Sequence, residues 1–131
     1  MEETDNAPTL YEQLGGHDGI LDLIRTFYID ARQHNILGPV FNSHIKDWET
    51  HMAKITEFWA LQTGGPSTYR GGFAGAHLRA GIQSEFFEHW LGLWNYNCQR
   101  HLSPDLAKQM SALAQELGRR LKMVIEGMPP R

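Results

Sequence analysis

Asp47-Trp48-Glu49-Thr50-His51-Met52-Ala53-Lys54-Ile55-Thr56-Glu57-Phe58-Trp59 carries its apolar and ring-bearing side chains at 48, 51, 52, 55, 58 and 59. Steps of three and four put them on one stripe of a helix, not on one face of a strand. Asp47 is a good N-cap for that helix, which stops by Gly64-Gly65-Pro66. The same spacing recurs on both sides. Ile20, Ile24, Phe27, Tyr28 and Ala31 mark a helix that starts near Asp18 and ends before Gly38-Pro39. Phe87, Trp90, Leu91, Trp94 and Cys98 mark another, with Ser84 placed to cap it. Leu106, Met110, Leu113, Leu117, Leu121 and Val124 form the seam of a long helix that Ser103-Pro104 opens and Gly127 closes. Thr9 and Glu12 form a capping box for a short helix halted by Gly15-Gly16. Gly38-Pro39-Val40-Phe41-Asn42 reads as a corner. Residues 63–76 hold five Gly and one Pro and read as loop, with at most a short helical turn around His77. No alternating strand segment of useful length and no internal repeat is present, so the fold class is all-α.

The chain has 131 residues, enough for one domain with one main core. We expect tails at 1–8 and 127–131 around a domain at 9–126. Hydrophobic residues make up 41% and charged residues 21%, which suits a folded rather than a disordered chain. The formal charge of −3 lacks the basic face that a nucleic-acid surface needs. No apolar run approaches the roughly 20 residues that span a bilayer, and no leader pattern opens the chain. A cytoplasmic monomer is the expectation. The lone Cys98 excludes an internal disulfide and any multi-thiolate metal site.

A plain helical bundle fills its core with aliphatic side chains. Here the inward faces carry large aromatics, and with them Tyr28, His51 and Trp90. Burying a phenol or an indole N–H without a partner costs about 1–3 kcal/mol. Three such groups on three inward faces suggest a pocket that uses hydrogen-bond donors, which is the usual form of a cofactor site. His77 sits in a glycine-rich stretch between Ala76 and Leu78, where an imidazole can meet a flat ligand without a bulky neighbour intervening. Haem iron takes one axial imidazole in globins and leaves its other face open. Each histidine also has a plainer reading, as a surface residue. That is the simplest account of His17, His44, His89 and His101, whether solvated or capping. Trp48, Trp59 and Trp94 read as core or haem-edge packing.

Phe27-Tyr28, Leu37-Gly38-Pro39-Val40-Phe41-Asn42, Trp48 to Ile55 with Phe58-Trp59, Ala76-His77-Leu78 and Glu85 to Leu91 occur in an order that resembles the truncated haemoglobins. The resemblance covers nearly all of residues 9–126. It implies a globin-like, truncated two-over-two helical sandwich around haem b. On that resemblance His77 is the proximal ligand, and Phe41 is the corner aromatic against the haem. Tyr28, His51, Ile55 and Trp90 then form the distal pocket, with Phe58 lining it from behind. The Tyr, His and Trp set is most similar to the third group of the family. Tyr11-Glu12-Gln13-Leu14-Gly15-Gly16 is similar to the first and second groups, and Thr63 to Tyr69 to the second. Lys54, Tyr69, Arg70 and Arg79 are candidates for the haem propionates, with ordinary surface charge as the equal alternative.

Dioxygen on ferrous haem draws electron density from the metal. Hydrogen bonds from Tyr28 and Trp90 would hold that charge, each worth about 1.5–3 kcal/mol. A tight, slow-release binder of dioxygen or another diatomic such as nitric oxide or carbon monoxide is expected, served by a reductase. His51 reads equally as a donor or as a gate. A haem enzyme that removes nitric oxide or reduces peroxide or nitrite is the second class of function. A cofactor-free helical interaction module is the third. No acidic residue adjoins His77 in sequence, which counts against a peroxidase-type proximal pair.

Overall fold

A computed structural model of the chain describes residues 7–72, 77 and 82–127. Arg79 and most of both expected tails lie outside the described residues. Among the described residues every regular element is a helix. The main helices are α1 (Leu10–Gln13), α2 (Gly16–Ala31), α3 (Leu37–His44), α4 (Trp48–Gln62), α5 (Glu85–His101) and α6 (Pro104–Ile125). α2 packs on α4, α5 packs on α6, and α2 crosses onto α5, so one helix pair lies over another. None of these helices is long and apolar enough to cross a membrane.

The caps follow the local chemistry. Thr9 and Glu12 exchange side-chain and backbone hydrogen bonds as a capping box. Asp47 accepts from the Thr50 N–H at 3.1 Å and from its hydroxyl at 2.7 Å. Ser103 accepts from the Leu106 N–H ahead of Pro104. Four expectations need correction. Gly38 to Asn42 is not a corner but the body of α3. Pro39 is its third residue, where a missing N–H costs nothing because that donor has no partner within the helix. His34 supplies the start signal, its Nδ1 accepting from the N–H groups of Ile36 and Leu37. Ser84 stands at the start of α5 in helical geometry and makes no side-chain cap bond. α2 begins at Gly16 rather than Asp18, with Gly15 in the left-handed conformation at φ 97°. Val124 leaves the α6 seam and is 45% exposed.

A fifth correction concerns His17, which is neither free nor a cap. Its Nδ1 meets the Tyr11 hydroxyl, and its Nε2 lies 3.0 Å from the Glu57 carboxylate. The other oxygen of that carboxylate accepts from the Thr68 N–H at 2.9 Å, and the Ser67 hydroxyl donates to the Glu57 carbonyl. The Thr68 amide and then His17 hold the Glu57 carboxyl below the usual carboxylate range. This chain of bonds ties α1, α2 and α4 to the loop that leaves α4 towards His77.

The core is aromatic. Phe27, Trp59 and Trp94 are almost fully buried, together with Ile20, Ile24 and Met110. Asn97 is also fully buried; its amide donates to Asp30 at 3.2 Å and to the Leu93 carbonyl at 3.1 Å.

Two glycines in helices should respond oppositely to alanine. A Cβ on Gly19 would stand 1.8 Å from the Leu14 carbonyl oxygen, so α1 and α2 would have to part. Gly19→Ala should lower unfolding free energy by about 1–3 kcal/mol, the usual cost of overpacking. Gly92 is exposed on α5, and a Cβ there would meet nothing within 4 Å. Gly92→Ala should raise stability by about 0.5–1 kcal/mol through a stiffer unfolded chain and better helix propensity. Denaturant unfolding of both variants checks the pair.

Candidate functional site

The two helix pairs do not close on each other completely. They leave a predominantly apolar cavity of about 680 Å³, counting its open mouth. Tyr28 enters it from α2 and Phe41 from α3. His51, Ile55 and Phe58 enter from α4, Trp90 from α5, and His77 from beyond the loop. All seven were singled out from the sequence, though they are scattered between residues 28 and 90 of it.

Tyr28 is only 7% exposed. Its ring is held edge-on by Phe27, Phe41, Trp48 and His51, with centroids 5.1–5.3 Å apart. Four rings around one phenol leave it little rotamer freedom. Its hydroxyl lies 2.8 Å from the His51 Nε2, so a bond between α2 and α4 spans the cavity wall. Burial pushes the Tyr28 phenol well above its usual range, and it stays protonated. Burial, with help from the charge of Lys54 and from His77, lowers His51 from 6.5 to about 4. Both partners are therefore neutral near pH 7. The imidazole has one N–H to place. With that hydrogen on Nε2, His51 donates to the phenol oxygen and the Tyr28 O–H is free to point into the cavity. With it on Nδ1, Tyr28 donates to His51.

Among the described residues no group accepts from the Trp90 indole N–H. The Trp90 ring is fixed all the same. It stacks on Trp94 at 5.2 Å and 12°, and Trp94 stacks on Trp59 at 4.8 Å and 12°. Phe58 stands edge-on to Trp59. His77 is helical and half-buried, and its ring lies 5.9 Å from that of Phe87.

The remaining candidates stand elsewhere. Lys54 is exposed on α4, one turn after His51, and does not line the cavity. Tyr69 packs its ring against Phe58 from outside, 5.2 Å between centroids. Arg70 is exposed. Cys98 is fully buried, and burial pushes its thiol up to about 12, so it is inert at neutral pH.

Sequence reasoning gave no cavity role to Phe86, Leu117 or Gly118, which also line it. Phe86 lies four residues before Trp90, so the α5 stripe already held the signal for it. Gly118 offered a signal, because a glycine inside a long helix is costly without a packing reason.

Comparison with known proteins agrees with this architecture. The bacterial-like globin family model matches residues 9–121. A group 3 truncated hemoglobin, ctb, from Campylobacter jejuni is 38% identical over 82 residues. That match covers 59% of this chain and 65% of the relative, just under two thirds of its length. The crystal structure of a group III truncated hemoglobin from the same organism superposes with a TM-score of 0.80 at 28% identity, covering 88% of this chain and 95% of that one. A thermostable hemoglobin from Thermobifida fusca shares the fold, with a TM-score of 0.76 at 21% identity over 94% of this chain and all of its own. With its two-over-two helices around an aromatic cavity, this chain belongs to the bacterial-like globin family and is similar to group III truncated haemoglobins.

Proposed function

We propose that the domain at 9–126 binds haem b in the cavity and reversibly holds dioxygen or another small diatomic ligand there. One observation carries this. An imidazole, His77, and a neutral phenol–imidazole pair, Tyr28 and His51, line one predominantly apolar cavity. The donor set fits as well: a neutral imidazole is a normal haem ligand, and no group of three or more His, Cys, Asp or Glu among the described residues competes for metal. When bound, ferrous haem supplies a vacant iron position for a diatomic gas.

The residues of the chain do the rest. His77 ligates the iron. Phe41, Phe86 and Phe87 supply apolar faces and edges for the macrocycle. Tyr28 and Trp90 donate hydrogen bonds to the gas, and His51 sets which way the phenol hydrogen points. Lys54 and Tyr69 would serve the propionates, as would Arg79, which lies outside the described residues. Ile55 and Phe58 keep water out behind the donors. A monomer in the reducing cytoplasm is the form proposed, and the single buried thiol suits that compartment. A separate reductase would supply the electron that keeps such a haem ferrous. Two strong donors make a poor carrier and a tight, slow-release binder.

Three outcomes test the assignment. His77→Ala should lose the normal haem content, or the ferrous spectrum of a single axial imidazole; unchanged spectra would remove His77 from the site. Tyr28→Phe and Trp90→Phe should each speed oxygen release in stopped flow. A bond to a charged acceptor is worth about 1.5–3 kcal/mol, so the expected acceleration is roughly tenfold to a hundredfold. Equal rates in both variants would show that neither donates.

The His51 imidazole should titrate near pH 4 in the haem-free protein, against an ordinary value of 6.5. Between these values the unfolded chain binds the extra proton and the folded one does not. His51 therefore costs stability progressively as pH falls from 6.5 to about 4, with no further loss below. Proton NMR of the imidazole in His51 and its absence in His51→Gln checks the value.

A further inference from the structure

Three indoles lie face to face behind the cavity, and ligand binding uses only one of them. Trp94 is 1% exposed and sandwiched between Trp90 and Trp59, each interplanar angle being 12°. Trp90 and Trp59 both line the cavity, whereas Trp94 does not. The Trp94 indole N–H donates to the Met110 carbonyl at 3.4 Å. If packing alone were required, edge-to-face or offset aliphatic contacts would serve. Two parallel contacts on one central ring do something more specific. Each indole face is electron-rich, so a positive charge on the middle ring is attracted by both neighbours. The Met110 carbonyl dipole points its negative end at the same ring. Among the described residues the cation–ring pairs are at Trp48 and Tyr96, not at this ring.

We propose that the Trp90–Trp94–Trp59 stack is a one-electron donor site, which supplies an oxidising equivalent's missing electron when hydroperoxide reacts at the haem. The proposal rests on the haem assignment above. Reduction of hydrogen peroxide to two waters takes two electrons and two protons, and breaks the O–O bond. A ferric haem bound in the cavity would account for one electron, and the stack supplies the other. Trp94 keeps its N–H hydrogen on the Met110 carbonyl, so the stack is left as a radical cation shared over three rings. The protons come from solvent. Two molecules of a one-electron reductant of the phenol or ascorbate class later return both electrons.

Two other oxidisable groups are nearby, and each is the poorer donor. Tyr28 must release its proton as it loses an electron, and the acceptor beside it is His51, a weak base whose own value has fallen to about 4. Cys98 is buried with its thiol protonated. The indole stack loses an electron without losing a proton. Its burial also shields the radical from water.

Electron paramagnetic resonance after freeze-quenching ferric holoprotein with hydrogen peroxide is the test. A protein radical is expected whose spectrum narrows when the chain is labelled with ring-deuterated tryptophan. Trp94→Phe should cut its yield several-fold. Trp59→Phe, which shortens the stack from its other end, should cut the yield as well and serves if the first variant fails to fold. A radical insensitive to tryptophan labelling, or one abolished by Tyr28→Phe or Cys98→Ser and not by Trp94→Phe, would overturn the proposal. A protein with a normal Soret band and no tryptophan radical sinks this proposal alone, whereas a protein that takes up no haem sinks the haem assignment and this with it.

Discussion

The structure depends on holding a cavity open inside a 131-residue chain. Protein interiors close on empty space because every unfilled volume forfeits contacts. A cavity between two helix pairs therefore needs walls that resist collapse. Flexible aliphatic side chains would relax into it. Here the walls are rings that brace one another. Tyr28 is caged by four of them, and Trp90 is held by a stack that continues through Trp94 to Trp59. Stiffness in the second layer is what makes the first layer usable as a site.

The same burial that stiffens the wall sets its electrostatics. Low solvent access raises the Tyr28 phenol and lowers the His51 imidazole, so both remain neutral over the whole physiological range. A neutral pair can pass a hydrogen bond along without holding a charge of its own near the ligand. A charged His51 would instead offer two donors and no acceptor. The bond between these two residues also joins α2 to α4, so the geometry of the donors and the packing of the helices are one constraint.

The route from α4 to His77 is the least helical part of the described chain, and it is anchored at its start. Glu57 receives His17 from α2 and the Thr68 amide from the loop, while Tyr69 leans on Phe58. One carboxylate thus relates the helix that carries His51 to the segment that leads to His77. None of this was visible in the pattern of apolar positions, because its members are polar and far apart in sequence.

The all-α class, the stripes on α2, α4, α5 and α6, the Thr9, Asp47 and Ser103 caps and the seven cavity-lining candidates were legible from residue order alone. Those signals are local: a helix repeats every 3.6 residues, and a cap is decided within one turn. The sequence misled where a local signal had two meanings. Gly38-Pro39 suits a corner as well as a helix start, and only the His34 ring accepting from two amides tells them apart. Ser84 is a good cap by type, yet its side chain caps nothing. What the tertiary structure alone decided are the contacts between residues distant in the chain. They are the 2.8 Å bond of Tyr28 to His51, the parallel stacking of three tryptophans from two helices, and the place of Lys54 outside the cavity rather than in its wall. Periodicity says which way a side chain faces. Which partner it meets is set by how helices cross, and that depends on the packing of the whole core.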